Sequence, residues 1–101
     1  MLDLSKKCNI VVKIEKLPTS ILGVYLNVFD TPHILINEIV HPNNFEFIFL
    51  ACLYYQKDGV GKITIEDMSD INNEAFIFAR NNLKLNRIDC AWMIHTANYI
   101  R

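Results

Sequence analysis

Residues 43–56, Asn-Asn-Phe-Glu-Phe-Ile-Phe-Leu-Ala-Cys-Leu-Tyr-Tyr-Gln, constrain this chain more than any other stretch. Apolar and aromatic side chains follow one another from Phe45 to Tyr55 with Glu46 as the one charged interruption, so a helix here has no polar stripe to turn to water. Such a helix must be covered on all sides. The run is about half of the roughly 20 residues that a membrane span requires, which makes it a core helix. Asn43 as N-cap, with Glu46 three residues later reaching back in a capping box, supports its start.

At 101 residues the chain is expected to form one domain, 1–101, with a single core. Residues that are 51% hydrophobic and 21% charged exclude disorder and leave apolar surface for an interface. Ten basic and eleven acidic residues are spread evenly, so direct nucleic-acid binding through a basic stripe is disfavoured. Cys8, Cys52 and Cys90 form no C-x-x-C pair and read as buried free thiols. Met1–Lys7 carries an early acid and no apolar run, unlike a secretory signal, and the expectation is a cytoplasmic protein with no membrane association.

The segment 9–15 reads as a first strand, ended by Leu17-Pro18-Thr19-Ser20. Residues 21–28 and 33–37, separated by Phe29-Asp30-Thr31-Pro32, read as a hairpin. Pro42 then bars helix at His41 and leads into the central helix. Lys57-Asp58-Gly59-Val60-Gly61-Lys62 reads as a mobile glycine loop. It is no phosphate cradle, because the Walker pattern needs four residues between its glycines and a hydroxyl after the lysine. Ile63-Thr64-Ile65 is too short to assign. Ser69 or Asp70 offers a cap to a helix over 71–83 with Ala75, Phe78, Ala79 and Asn82 on one face. A last helix is expected from Arg87, with Asn86 as cap and Trp92, His95 and Tyr99 along one side. The fold class is therefore α+β: a small three-stranded antiparallel sheet packed on a central apolar helix, with two further helices.

Gly23-Val24-Tyr25, then Ile34-Leu35-Ile36-Asn37, then the helix with Leu50-Ala51, then Glu74-Ala75-Phe76-Ile77-Phe78-Ala79 follow one another in an order that resembles the ImmA/IrrE family of bacterial zinc metallopeptidases. The resemblance covers roughly residues 9–85 and implies a zincin-like minimal domain. The family's helix carries His-Glu-x-x-His, two histidines that bind zinc and a glutamate that activates its water. Aligned on Leu50-Ala51, this chain places Cys52 and Gln56 at the histidine positions and Leu53 at the glutamate. A thiolate can bind zinc, but an amide is a poor ligand and leucine is no base. What the resemblance implies is a pseudo-metallopeptidase that kept the scaffold and lost the metal, with no cofactor, and with Glu74 either a remnant of the acidic ligand or an ordinary first-turn acid.

Other constellations carry less. Cys90 and His95, five residues apart on a helix, stand about 140° from each other and do not form a nucleophile pair. His33 and His41 read as loop or strand-end histidines, and Tyr54-Tyr55, Phe47 and Phe49 as core, while Trp92 and Met93 are open to a partner or to the core.

Three classes of function follow. The first is a non-catalytic regulator that binds another protein; the resemblance implies a phage or mobile-element setting and a repressor or host regulatory or defence protein as target. The second is a metal-dependent peptidase with atypical ligands, and the third a structural or oligomerisation module, for which a homodimer is open. The expected contact surface is a strand edge at Tyr25–Asn27 together with the loop 57–62, with Tyr25, Asn27 and Val60 as binding residues and Cys52, Gln56 and Glu74 as degenerate metal positions.

Overall fold

A computed structural model of the chain describes residues 10–70 and 72–83. Four strands, β1 (Val11–Glu15), β2 (Ile21–Val28), β3 (Thr31–Asn37) and β4 (Val60–Thr64), form one sheet in the order β1-β3-β2-β4. Helix α1 (Phe45–Leu53) lies on one face of the sheet, and α2 (Glu74–Asn82) packs on α1. The class is α+β, as the sequence leads one to expect. The sheet differs from the expected three antiparallel strands in two ways: it has a fourth strand, and it is mixed, because β1 runs parallel to β3 while β2 runs antiparallel to both β3 and β4.

The parallel β1 follows from how β1 and β2 are joined. Glu15 pairs with Asn37 at the end of β3, and β2 begins on the other side of the same strand, so residues 16–20 arch over that end. Asn37 is fully buried beneath the arch. Its side-chain NH2 donates to the carbonyls of Leu17 (3.1 Å), Pro18 (3.0 Å) and Ile21 (2.7 Å). Its Oδ1 accepts from the Leu17 and Ile39 N–H groups at 3.4 and 3.3 Å. A carboxamide is the side chain that can donate and accept at once in this way, and burying these backbone groups without it would leave them unsatisfied.

The second strand pair turns at Phe29-Asp30, whose φ angles of 49° and 64° are both in the left-handed region, as a two-residue type I′ hairpin loop requires. β4 is the strand that local propensity left unassigned. Lys57 and Asp58, expected in a mobile loop, instead end a 3-10 turn (Tyr54–Asp58) that continues α1, and Gly59, at φ 80°, reverses the chain directly into β4. The glycine at 61 lets Tyr55 lie on the strand: a Cβ there would sit 2.0 Å from the ring's Cγ. Pairing with β2 and this ring contact define β4, and neither can be seen in a five-residue window.

Helix α1 is shorter than the expected 43–56 because both ends tighten into 3-10 turns, Pro42–Asn44 before it and Tyr54–Asp58 after it, which satisfy the end groups by shorter-range bonds. Asn44 stands at its N-cap without a side-chain cap bond, and the nearby capping interaction comes from His41, whose Nδ1 accepts from Asn43 N–H at 3.1 Å. α2 starts at Glu74, with Asn73 as its cap: Oδ1 accepts from Ala75 and Phe76 N–H at 2.9 and 3.2 Å. Asp70 and Ser69 are committed elsewhere, to Asn72 N–H and to the Glu66 carbonyl. The buried face of α2 is Ala75, Phe76 and Ala79; Phe78 is half-buried and Asn82 exposed, so the face is rotated from the expected one. The helix expected from Arg87, with Cys90, Trp92 and His95, lies outside the described residues.

As expected, α1 is buried nearly all round, with Phe47, Ile48, Phe49, Leu50, Ala51 and Cys52 inaccessible. It sits so close to β2 that a Cβ at Gly23 would lie 2.6 Å from Cys52 Sγ and 2.8 Å from Ile48 Cγ2. Gly23→Ala should therefore destabilise the domain by about 1–3 kcal/mol through overpacking, read as a lower urea midpoint, and Gly23→Ala/Cys52→Ala should recover part of that loss. Asn37→Ala, which strands several buried carbonyls at about 1–3 kcal/mol each, should cost more than Gly23→Ala; an unchanged midpoint in either variant would contradict the packing described.

Candidate functional site

The three degenerate metal positions do not come together. Cys52 is fully buried and faces the sheet at Gly23, and burial pushes its thiol far above its ordinary pKa, so it stays protonated. Gln56 follows the end of α1 in the 3-10 turn, exposed, so positions 52 and 56 do not repeat on one α-helical face as two ligands must. Glu74, at the start of α2, accepts a short hydrogen bond from Tyr54 OH. Leu53 packs against the core. No group of three histidine, cysteine or acidic side chains among the described residues is arranged to hold a metal ion. The residues present do not fit zinc: one donor is a neutral thiol turned inward, one an amide in solvent, and the third is engaged with a phenol.

Two depressions lie where the 3-10 turn after α1 meets α2, sharing Tyr54 and Lys57. One, of about 410 Å³, is polar and carries Asp58, Asp70, Asn72 and Glu74. The other, of about 510 Å³, is mostly apolar and runs between Leu53, Gln56 and Phe78. Lys57 stands between them, its Nζ 3.0 Å from Asp58 Oδ2 and 4.8 Å from the centre of the Tyr54 ring. Tyr54 in turn packs edge-on against Tyr55 and tilted against Phe78, with ring centres at 5.4 and 5.9 Å. Every charged group here has a neighbour of opposite charge or a hydrogen-bond partner close by, or is open to solvent; the arrangement braces the turn against α2.

Tyr25, Asn27 and Val60 are placed differently from one another. Tyr25 is 1% exposed and belongs to the core, and β2 lies between β3 and β4, so the free strand edge expected at Tyr25–Asn27 is occupied by β4. The alternation of residues 21–28 does not say which set faces inward, and the register shift between Ile21 and Gly23 hides the phase. Asn27 and Val60 are both exposed but on opposite faces of the sheet: Val60 pairs with Leu26, whereas Asn27 shares the face of Tyr25, whose OH donates to its Oδ1 at 3.5 Å.

Sequence reasoning missed what surrounds them. Tyr25, Ile34 and Ile63 fill the helix-covered face, which puts Val24, Leu26 and Val28 of β2, Leu35 of β3 and Val60 of β4 on the opposite face. Neither described helix packs there. A sheet with one solvated face alternates apolar-in with polar-out; here the outward set is mixed, an apolar strip of Val24, Leu26, Val28, Leu35 and Val60 bordered by Lys13, His33 and Lys62. Val60 is 63% exposed, and Phe29, at the hairpin tip nearby, 98%. The signal available beforehand was Phe29 itself, a large apolar residue at a turn position usually given to asparagine or glycine.

Comparisons with protein-family models, with curated proteins and with solved structures find no match to this chain.

Two measurements check the site as described. A variant that keeps Cys52 as its single cysteine should resist thiol labelling in native buffer and label only on unfolding; rapid native labelling would show that the position is open. The phenols of Tyr25 and Tyr55, raised chiefly by burial, and of Tyr54, raised first by its bond to Glu74, all ionise above the ordinary value of 10.0. The unfolded chain then loses these protons first, so the contribution of these phenols to stability is fully present below pH 10 and is lost as pH rises from 10 through the folded-state values. Tyr54→Phe should make the urea midpoint less sensitive over that window.

Proposed function

We propose that this protein is a non-catalytic regulator that works by contact with another protein, and that it presents the apolar strip on the outer face of the sheet with the Phe29-Asp30 hairpin tip. The observation that carries this reading is Phe29. A β-turn position with φ 49° is strained for a residue with a Cβ, at roughly 1–2 kcal/mol, and a ring that is 98% exposed returns none of that through packing. Aromatic side chains in such positions are the usual anchors of protein interfaces. Val60 and Leu26 extend the apolar surface, and His33 and Lys62 border it with polar groups.

The order of Gly23-Val24-Tyr25, Ile34-Leu35-Ile36-Asn37 and Glu74-Ala75-Phe76-Ile77-Phe78-Ala79 supports the setting: a relative of the ImmA/IrrE metallopeptidases carried by a phage or mobile element, its target a repressor or a host regulatory or defence protein. With Cys52 turned to packing, Glu74 to a bond with Tyr54 and Gln56 to solvent, binding is the activity such a scaffold retains. The cytoplasm is the compartment where those targets are found.

Phe29→Asn separates this from a purely structural role of the turn. It relieves the left-handed strain and should raise stability by roughly 0.5–1 kcal/mol, while lowering partner binding at least about tenfold. Photo-crosslinkers at positions 29 and 60, introduced in the native host, should capture the same protein, and one at Glu38, exposed near the far end of β3, should not. Capture of nothing, equal capture at Glu38, or cleavage of the captured protein would overturn the proposal.

A further inference from the structure

The sheet has one more feature that points to a partner, at the edge farthest from Val60. Among the described residues β1 is the outermost strand, with β3 as its one neighbour. The Glu15 carbonyl accepts from Glu38 N–H at 2.8 Å, so Glu15 turns its backbone groups toward β3, as Lys13 and Val11 do by the strand's two-residue period. Val12 and Ile14 turn theirs the other way, to the open edge. Lys13, Ile14, Glu15 and Lys16 are all exposed, Ile14 to 43% despite facing the same side as Ile36.

We propose that this edge is a self-association site, where β1 pairs antiparallel with β1 of a second copy about a two-fold axis at Ile14. In that register the outward N–H and C=O of Ile14 exchange hydrogen bonds with those of its counterpart, and the two exposed isoleucines cover each other. Lys13 then stands opposite Glu15 of the second copy, and Glu15 opposite its Lys13, so symmetry gives two opposite-charge pairs. Shifting the axis to Lys13 sets lysine against lysine, and shifting it to Glu15 sets glutamate against glutamate, each unfavourable across strands. Edges are often guarded by lysine to prevent pairing; alternating Lys13 and Glu15 guards against most partners and complements this one. The four-stranded sheet would continue into that of the second copy. This site is independent of the outer-face contact.

Sedimentation equilibrium of the full chain at concentrations up to roughly 1 mM, which reaches weak specific association, should show a reversible monomer–dimer equilibrium. Lys13→Glu and Glu15→Lys, both at exposed positions, should each weaken it about tenfold or more by placing like charges opposite one another twice. Lys13→Glu/Glu15→Lys should restore it to within about threefold, since the swap recreates both pairs. Val60→Glu should leave it unchanged, and far-ultraviolet circular dichroism should show all four variants folded. A chain that stays monomeric, a dimer indifferent to the single reversals or not restored by the swap, or a dimer dissolved by Val60→Glu would each overturn the proposal.

Discussion

The structure depends on a helix that has no side fit for water. α1 is covered on one side by the sheet, at van der Waals range over Gly23, and on the other by α2, where Phe47 and Phe76 bring ring centres to 5.3 Å. Each buried Phe or Leu contributes roughly 1.5–3 kcal/mol, so a helix carrying Phe47, Ile48, Phe49 and Leu50 supplies much of a small domain's core. Neither cover suffices alone. The sheet's own inward residues, Tyr25, Ile34, Ile36 and Ile63, need α1 as much as α1 needs them, which couples sheet, helix and second helix into one cooperative unit.

The elements whose character is written in local composition were legible in the sequence: α1 from its unbroken apolar run, the β2–β3 hairpin from two strand-like runs and a short turn, and α2 from its small and aromatic residues. What escaped was set by distant partners. The direction of β1 is fixed by Asn37, whose five hydrogen bonds to the 16–20 arch, to Ile21 and to Ile39 cannot be inferred from an asparagine at a strand end. β4 exists because β2 offers it an edge and Tyr55 packs on Gly61. The inward phase of β2 was hidden by the irregularity at Ile21/Gly23, and with it the burial of Tyr25. For the candidate site, Asn27 and Val60 were found at the surface, while Phe29 was read as a turn residue only, because exposure is a tertiary property.

The positions that the sequence resemblance assigns to a metal site have other roles in the structure. Cys52 is neutral and fills space against the sheet, Leu53 packs where a base would be charged, and Glu74 braces Tyr54. These are packing and bracing roles, and what remains on the surfaces is an apolar strip on the outer sheet face near a strained, exposed phenylalanine, and a strand edge on which Lys13 and Glu15 flank Ile14. These are the features on which the two proposed contacts rest.

The central claim, that α1 is the covered core on which everything else rests and no part of it opens as a site, is tested most directly by residue-resolved hydrogen exchange on the full chain. The account predicts that amides from Phe49 to Leu53, which close the helix's internal hydrogen bonds, exchange only through global unfolding, with an opening free energy equal to that from urea denaturation and with the same urea dependence. Exchange of these amides through a local opening of much lower free energy, insensitive to urea, would contradict it.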